Sequence, residues 1–395
     1  MKQTTICAAL VCGIVAPVPV AGAGQPEEPV FPIRSRPVDG AAVRFTSDHT
    51  ELYVATDGND SAPGTKEQPF ASLEAARGKV LQANLKALGI TEYGKPEDLK
   101  RSLELFCNDK RMQLARWPNK GFAAYGEEVE GPHLRFKYVD NRSDRWGQAE
   151  DILVNGFWRV DWVDEIIPVT GVDTEKREIT LERNPGCGFS GGGRFYAFNL
   201  LEEIDVPGEW YLDGERGILY LWPPDDFPSR GVLVSLLQSP FVSMEQTSFV
   251  TIRGLAMQAA RATAVDVAGG THNLIAGCTI RNVSSSGVDI DGGTGNGVLG
   301  CNIHDVGLEG VELSGGNRSR LIPAGNYVEN CHIHHFARHK KTSQPAVQIG
   351  GVGNRAAHNL IHDAPHQAIS KITWTPRVSL PAESSFWPTG CDVGR

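Results

Sequence analysis

From Val250 onward the chain repeats itself every 23 residues, and that period limits the fold more than any other feature. Residues 250–272 carry Gly254-Leu255-Ala256-Met257 and then Ala264-Val265-Asp266-Val267-Ala268-Gly269-Gly270. Residues 273–295 carry Gly277-Cys278-Thr279-Ile280 and Gly287-Val288-Asp289-Ile290-Asp291-Gly292-Gly293. The copy from Asn296 carries Gly300-Cys301-Asn302-Ile303 and Gly310-Val311-Glu312-Leu313-Ser314-Gly315-Gly316, and longer copies start at Asn326 and Asn354. A unit this short cannot bury its own apolar face, but stacked copies can. A fixed period with short alternating apolar runs therefore reads as a β-solenoid.

The repeat also aligns residues in columns. Apolar pairs flank a polar residue in each coil: Val265 and Val267, Val288 and Ile290, Val311 and Leu313, Val347 and Ile349. Period-two alternation sends the pairs inward and their middle neighbours outward. The outward column then reads Ser243, Asp266, Asp289, Glu312, Gln348, Ser370, with Asp291 facing the same side. Strands stack about 4.8 Å apart, which puts the Asp289 and Glu312 carboxylates about 5 Å apart and Asp266 and Glu312 about 9–10 Å apart. Retaining glycoside hydrolysis uses carboxylates roughly 5–5.5 Å apart, and the inverting route uses about 6.5–9.5 Å. Asp289 as nucleophile and Glu312 as general acid/base fit the first spacing, with Asp266 and Asp291 as substrate-binding neighbours. Two other readings stay open: a solvated acidic face, or oxygen ligands for Ca²⁺ in a polysaccharide lyase. Otherwise no cofactor is expected.

Basic residues lie in the insertions between later coils: Arg318 and Arg320 in one, Arg338, Lys340 and Lys341 in the next. Arg318 and Arg338 are the substrate-binding candidates among them, beside the reading as solvated loop charges. The insertions at residues 317–325 and 337–344 are expected to wall a groove beside the acidic column. His304, His334 and His362 share an outward column on the neighbouring sheet, with His332 nearby. Parallel columns do not converge on one ion, so no metal site is expected. His334 and His366 are read as sugar-contacting residues, beside the reading of the column as stacked, solvated histidines. Cys278, Cys301 and Cys331 alternate with Ile280, Ile303 and Ile333, so they point inward as a ladder of free thiols.

The N-terminus reads as an export signal: Lys2, an apolar run from Ile6 to Val20, then Ala21-Gly22-Ala23. The expected location is secreted or periplasmic, with no membrane association after cleavage and a monomeric chain. The net charge of -9 makes a nucleic-acid partner unexpected. The expected organisation is a signal peptide at 1–23, a lead-in and cap at 24–78, a β-rich accessory module at 79–235, coils at 236–370 and an irregular tail at 371–395. The module does not share the period. Trp210-Tyr211-Leu212 and Ile218-Leu219-Tyr220-Leu221-Trp222, joined by Asp213-Gly214-Glu215-Arg216-Gly217, read as a hairpin.

Several stretches together carry a resemblance. They are Tyr53-Val54-Ala55-Thr56-Asp57-Gly58-Asn59-Asp60, Pro69-Phe70-Ala71-Ser72-Leu73-Glu74-Ala75-Ala76-Arg77, Ala115-Arg116-Trp117-Pro118, and His358-Asn359-Leu360-Ile361-His362-Asp363-Ala364-Pro365-His366. The set resembles exported right-handed parallel β-helix proteins of the pectate-lyase-like superfamily, among them glycoside hydrolases similar to families 120 and 141. The resemblance implies an all-β fold, a right-handed parallel β-helix with an N-terminal β-rich accessory module. It implies action on a polysaccharide or oligosaccharide. Ser72 to Arg77 reads as a short helix with Ser72 as its N-cap; the join after it is short, and the repeat stops after Ile369 where relatives continue, so a truncated product is one expectation. Leu308, in Gly307-Leu308-Glu309-Gly310, stands where the resemblance implies a carboxylate. A non-catalytic, carbohydrate-binding or inactive relative is the remaining alternative.

Overall fold

The computed structural model describes residues 80–371, except 99, 191 and 228–231, together with the short strands Thr4–Ile6 and Ala42–Val43. The rest of the expected signal and lead-in, the helix near Ser72 and the tail beyond Lys371 lie outside the described residues. Two compact units emerge. One holds residues 237–338 and the coil that resumes at Pro345; the other holds Ala42–Val43, the described residues of 80–236 and, from the loop between two coils, residues 339–344.

The repeating unit is a solenoid of three strands per coil. The first sheet stacks Val250–Arg253, Leu274–Ala276, Gly297–Leu299, Tyr327–Glu329 and Arg355–Ala357, with Thr4–Ile6 parallel to its first strand. The second stacks Ala256–Gln258, Thr279–Arg281, Asn302–His304, His332–His334 and Leu360–His362. The third stacks Val242–Glu245, Val265–Ala268, Val288–Asp291, Val311–Leu313, Val347–Ile349 and Ile369–Lys371. Every strand pairs in parallel with its counterpart one coil on. Three-residue strands need sharp corners, and each corner has a left-handed residue. Between first and second strands it is Gly254, Gly277, Gly300, Asn330 or His358; after the second strand it is Ala259, Asn282, Asp305, His335 or Asp363. Asn and Asp tolerate this backbone better than branched residues do.

The interior follows from the alternation. Ile252, Ile275, Val298 and Val328 fill one inner column, Ile280, Ile303 and Ile333 a second, and Val265, Val288, Val311 and Val347 a third, all buried. Cys278, Cys301 and Cys331 are buried beside them and unbonded, and the Cys278 N–H donates to Cys301 Sγ at 3.4 Å. Alkylation followed by peptide mapping should therefore label these thiols only after denaturation, because burial denies the reagent access.

One first-sheet corner is held by an asparagine ladder. Asn296 Oδ1 accepts from the Asn273 N–H at 2.9 Å and Asn326 Oδ1 from the Asn296 N–H at 2.9 Å. Asn354 Oδ1 accepts from the Asn326 N–H at 3.1 Å. The amide nitrogens donate to corner carbonyls, Asn296 to Gly269 and Asn326 to Gly292 and Ser314. The copies after the first begin at asparagine because a short side chain with both donor and acceptor satisfies two coils at once.

The second unit is β-rich. A seven-stranded sheet includes Leu153–Phe157 between Glu165–Asp173 and Arg194–Phe198, closed over Tyr125, Phe136, Trp146, Trp158 and Phe195. Glu209–Asp213 and Ile218–Leu221 form the expected hairpin, with Trp210 opposite Leu221. Residues 339–344 are bound into this unit. The Thr342 hydroxyl donates to Asp164 Oδ1, and the Lys341 N–H donates to Asp164 Oδ2 at 3.3 Å. His339 Nε2 lies 3.5 Å from Glu104 Oε1. Among the described residues no helix is long and apolar enough to cross a membrane.

Glu209 in the hairpin is buried, and burial pushes its carboxyl up to about 7 against hydrogen bonds from the Asp205 N–H, Gln113 and the Val206 N–H. The folded state thus keeps a proton from the ordinary value of 4.5 up to about 7 that the unfolded chain has lost. Stability should fall as pH rises through that window, by about 3 kcal/mol. Glu209→Gln should flatten the slope and raise the urea midpoint at pH 8 above that of the natural chain.

Candidate functional site

The third sheet carries the acidic column in the expected register. Ser243, Asp266, Asp289, Glu312, Gln348 and Ser370 are direct partners from strand to strand. Val265, Val267, Val288, Ile290, Val311 and Leu313 are buried on either side, so the acidic side chains are forced outward, and Asp266, Asp289 and Glu312 are half-buried. Adjacent parallel strands set Asp289 and Glu312 about 4.8 Å apart along the stack. Glu312 Oε1 accepts from Gln348 Nε2 at 3.3 Å. Asp291 is exposed, and its Oδ1 accepts from Ser314 Oγ at 2.6 Å. These four carboxylates are the sequence-derived residues that the fold gathers on one face.

The others lie elsewhere on the coils. Arg318 is exposed in the insertion that follows Val311–Leu313 and donates to the Gly351 carbonyl at 3.5 Å. Arg338 lies at the corner after the second sheet, where it donates to the carbonyls of Asp305 at 2.7 Å and Val283 at 3.0 Å. Its guanidinium thus ties two coils together. His366 is exposed on the turn of the last described coil. His334 is on the second sheet, in register with His304 and His362. Burial first, and then the neighbours His304, His332, His335 and His362, push His334 down to about 4.

Two buried charged residues near the acidic column were not singled out from the sequence. Arg261, 2% exposed, lies at the corner leading into Val265–Ala268. Glu309, 7% exposed, lies at the equivalent corner before Glu312, and its Oε2 accepts from Ser286 Oγ at 3.0 Å. Both sit in corner turns, where strand alternation no longer predicts which way a side chain points. Ca²⁺ needs six to eight oxygens around one point. Among the described residues no three His, Cys, Asp or Glu side chains are gathered in that way, and the carboxylates stand in a line.

Residues 240–371 match the family model described as the right handed beta helix region. The coils are those of a right-handed parallel β-helix. A solved structure described as a glycoside hydrolase superposes with a TM-score of 0.60 at 15% identity, over 81% of this chain and 79% of that one. A second, the complex structure of XylC with xylose, gives a TM-score of 0.29 at 12% identity, over 82% of this chain and 63% of that one. At such identities the likeness is one of fold. No curated protein sequence matches this chain. In the β-helix, a residue's place on a coil decides its column, so Asp289 and Glu312 are neighbours by construction.

Proposed function

We propose that this β-helix protein is exported and cleaves a glycosidic bond of a polysaccharide or oligosaccharide, with Asp289 as nucleophile and Glu312 as general acid/base. The observation that carries the reading is the direct pairing of Asp289 with Glu312 on adjacent strands. That pairing, with strands stacked about 4.8 Å apart, supports a carboxylate spacing like the roughly 5–5.5 Å used for retention of configuration. The bond from Gln348 to Glu312 orients the acid/base, and Asp266 and Asp291 extend the polar face for substrate hydroxyls. Arg318, Arg338, His334 and His366 are proposed as further sugar contacts. The β-helix presents long columns of side chains, which suit an extended polymer.

In the proposed cycle Glu312 gives its proton to the departing glycosidic oxygen as Asp289 attacks the anomeric carbon. Glu312 then takes a proton from water, which displaces Asp289 and restores the original configuration. The test is product stereochemistry. Proton NMR of a cleaved oligosaccharide should show the starting anomeric configuration first. Inversion would reject the Asp289 nucleophile, and unsaturated, ultraviolet-absorbing products would replace hydrolysis with elimination.

A further inference from the structure

The histidines of the second sheet contain a pair that the cleavage mechanism does not use. His304, His334 and His362 stack at 4.8 and 4.9 Å, with interplanar angles of 3° and 5°. His332, which belongs to the adjacent column, reaches diagonally to His362, and their Nε2 atoms lie 2.7 Å apart. Two imidazole nitrogens this close share one proton, since neither two donors nor two lone pairs can face each other. The other side of His362 decides which ring supplies it. His362 Nδ1 lies 2.7 Å from Asp363 Oδ2, and a carboxylate oxygen only accepts. Nδ1 of His362 therefore holds its proton, Nε2 presents a lone pair, and His332 donates. Asp363 reaches this position because it is the left-handed corner residue after the strand, with φ of 50°.

A carboxylate behind an imidazole, with the opposite lone pair facing a second imidazole, is how metal-ligating histidines are oriented. We propose that Nε2 of His332 and Nε2 of His362 chelate a divalent transition-metal cation of the Zn²⁺ class, with Asp363 orienting His362. As the cation enters, the proton on His332 Nε2 passes to its Nδ1, so that both Nε2 lone pairs face the ion, with both rings neutral and no change of oxidation state. Zinc–nitrogen bonds of about 2.0–2.1 Å place tetrahedral ligands about 3.3 Å apart. The pair must open by a little over half an ångström, which side-chain rotation on the outer face supplies. Imidazole donors favour such ions over Mg²⁺ and Ca²⁺. The parallel columns alone gave no such site; the diagonal contact creates it. The ion would tie two successive coils together.

The experiment uses the full chain without an affinity tag. Calorimetric titration with ZnCl₂ should show one saturable site, and the thermal midpoint should rise with Zn²⁺ but not with MgCl₂. His332→Ala and His362→Ala should each lose the site, while His366→Ala keeps it. Asp363→Asn, which leaves every imidazole in place, should weaken binding by about 10–100-fold. On the natural chain, Zn²⁺ should protect His332 and His362, but not His366, from diethyl pyrocarbonate, independently of how any variant folds. The proposal is overturned if no saturable uptake occurs, if Mg²⁺ matches the effect of Zn²⁺, or if protection falls on other histidines.

Discussion

Glu312→Gln should lower glycan cleavage by about 10²–10⁴-fold, the usual contribution of a positioned proton donor, while the circular dichroism spectrum stays that of the natural chain. The side chain is outward and half-buried, so the substitution removes a proton donor without touching the apolar columns on either side. Gln keeps the length of Glu and can still hydrogen-bond Gln348. The loss in kcat/KM should be small for a substrate whose leaving group departs without protonation, such as a dinitrophenyl glycoside, because only a poor leaving group needs the acid. Asp289→Asn should abolish turnover on both kinds of substrate, since the attacking atom itself is gone. The pair of profiles distinguishes acid from nucleophile. A merely structural role for either residue would depress both substrates equally, along with the folded fraction.

Asn326→Ala should lower stability by about 2–4 kcal/mol, read as a fall in the urea midpoint at unchanged slope. Asn326 is fully buried, accepts from the Asn296 N–H, and donates to the carbonyls of Gly292 and Ser314. Truncation removes those bonds and strands a buried N–H and two carbonyls at the corner. Asn354→Ala, at a half-buried rung of the same ladder, should cost less. If the two variants were equally mild, the ladder would be a consequence of coil geometry rather than a support for it.

The columns were legible in the sequence because the period is constant from Val250 to Gly316 and each strand alternates apolar with polar residues. Those two facts fix which residue opposes which, and the pairings of Asp266, Asp289 and Glu312 follow from them. The corners were not legible in the same way. Asp363 and His335 occupy left-handed positions, and no alternation rule predicts that their side chains turn back toward the histidine column. Arg261 and Glu309 escaped notice for the same reason, being buried in turns where burial depends on how neighbouring coils stack. The asparagines at 273, 296, 326 and 354 marked the start of each copy, but their hydrogen-bonded ladder emerges only once the coils are superposed. Residues 339–344 fall inside the coil region by sequence, whereas Thr342 and Lys341 bind Asp164 of the β-rich unit. Short polar segments carry no periodic signal that would reveal this.

Reducing-sugar release from a broad panel of polysaccharides, compared between the natural chain and the Asp289→Asn, Glu312→Gln double variant, tests the central claim most directly. The account predicts release from at least one glycan by the natural chain and none by the double variant, with both equally folded. Equal release from the two proteins, or no release by the natural chain from any glycan, would contradict it.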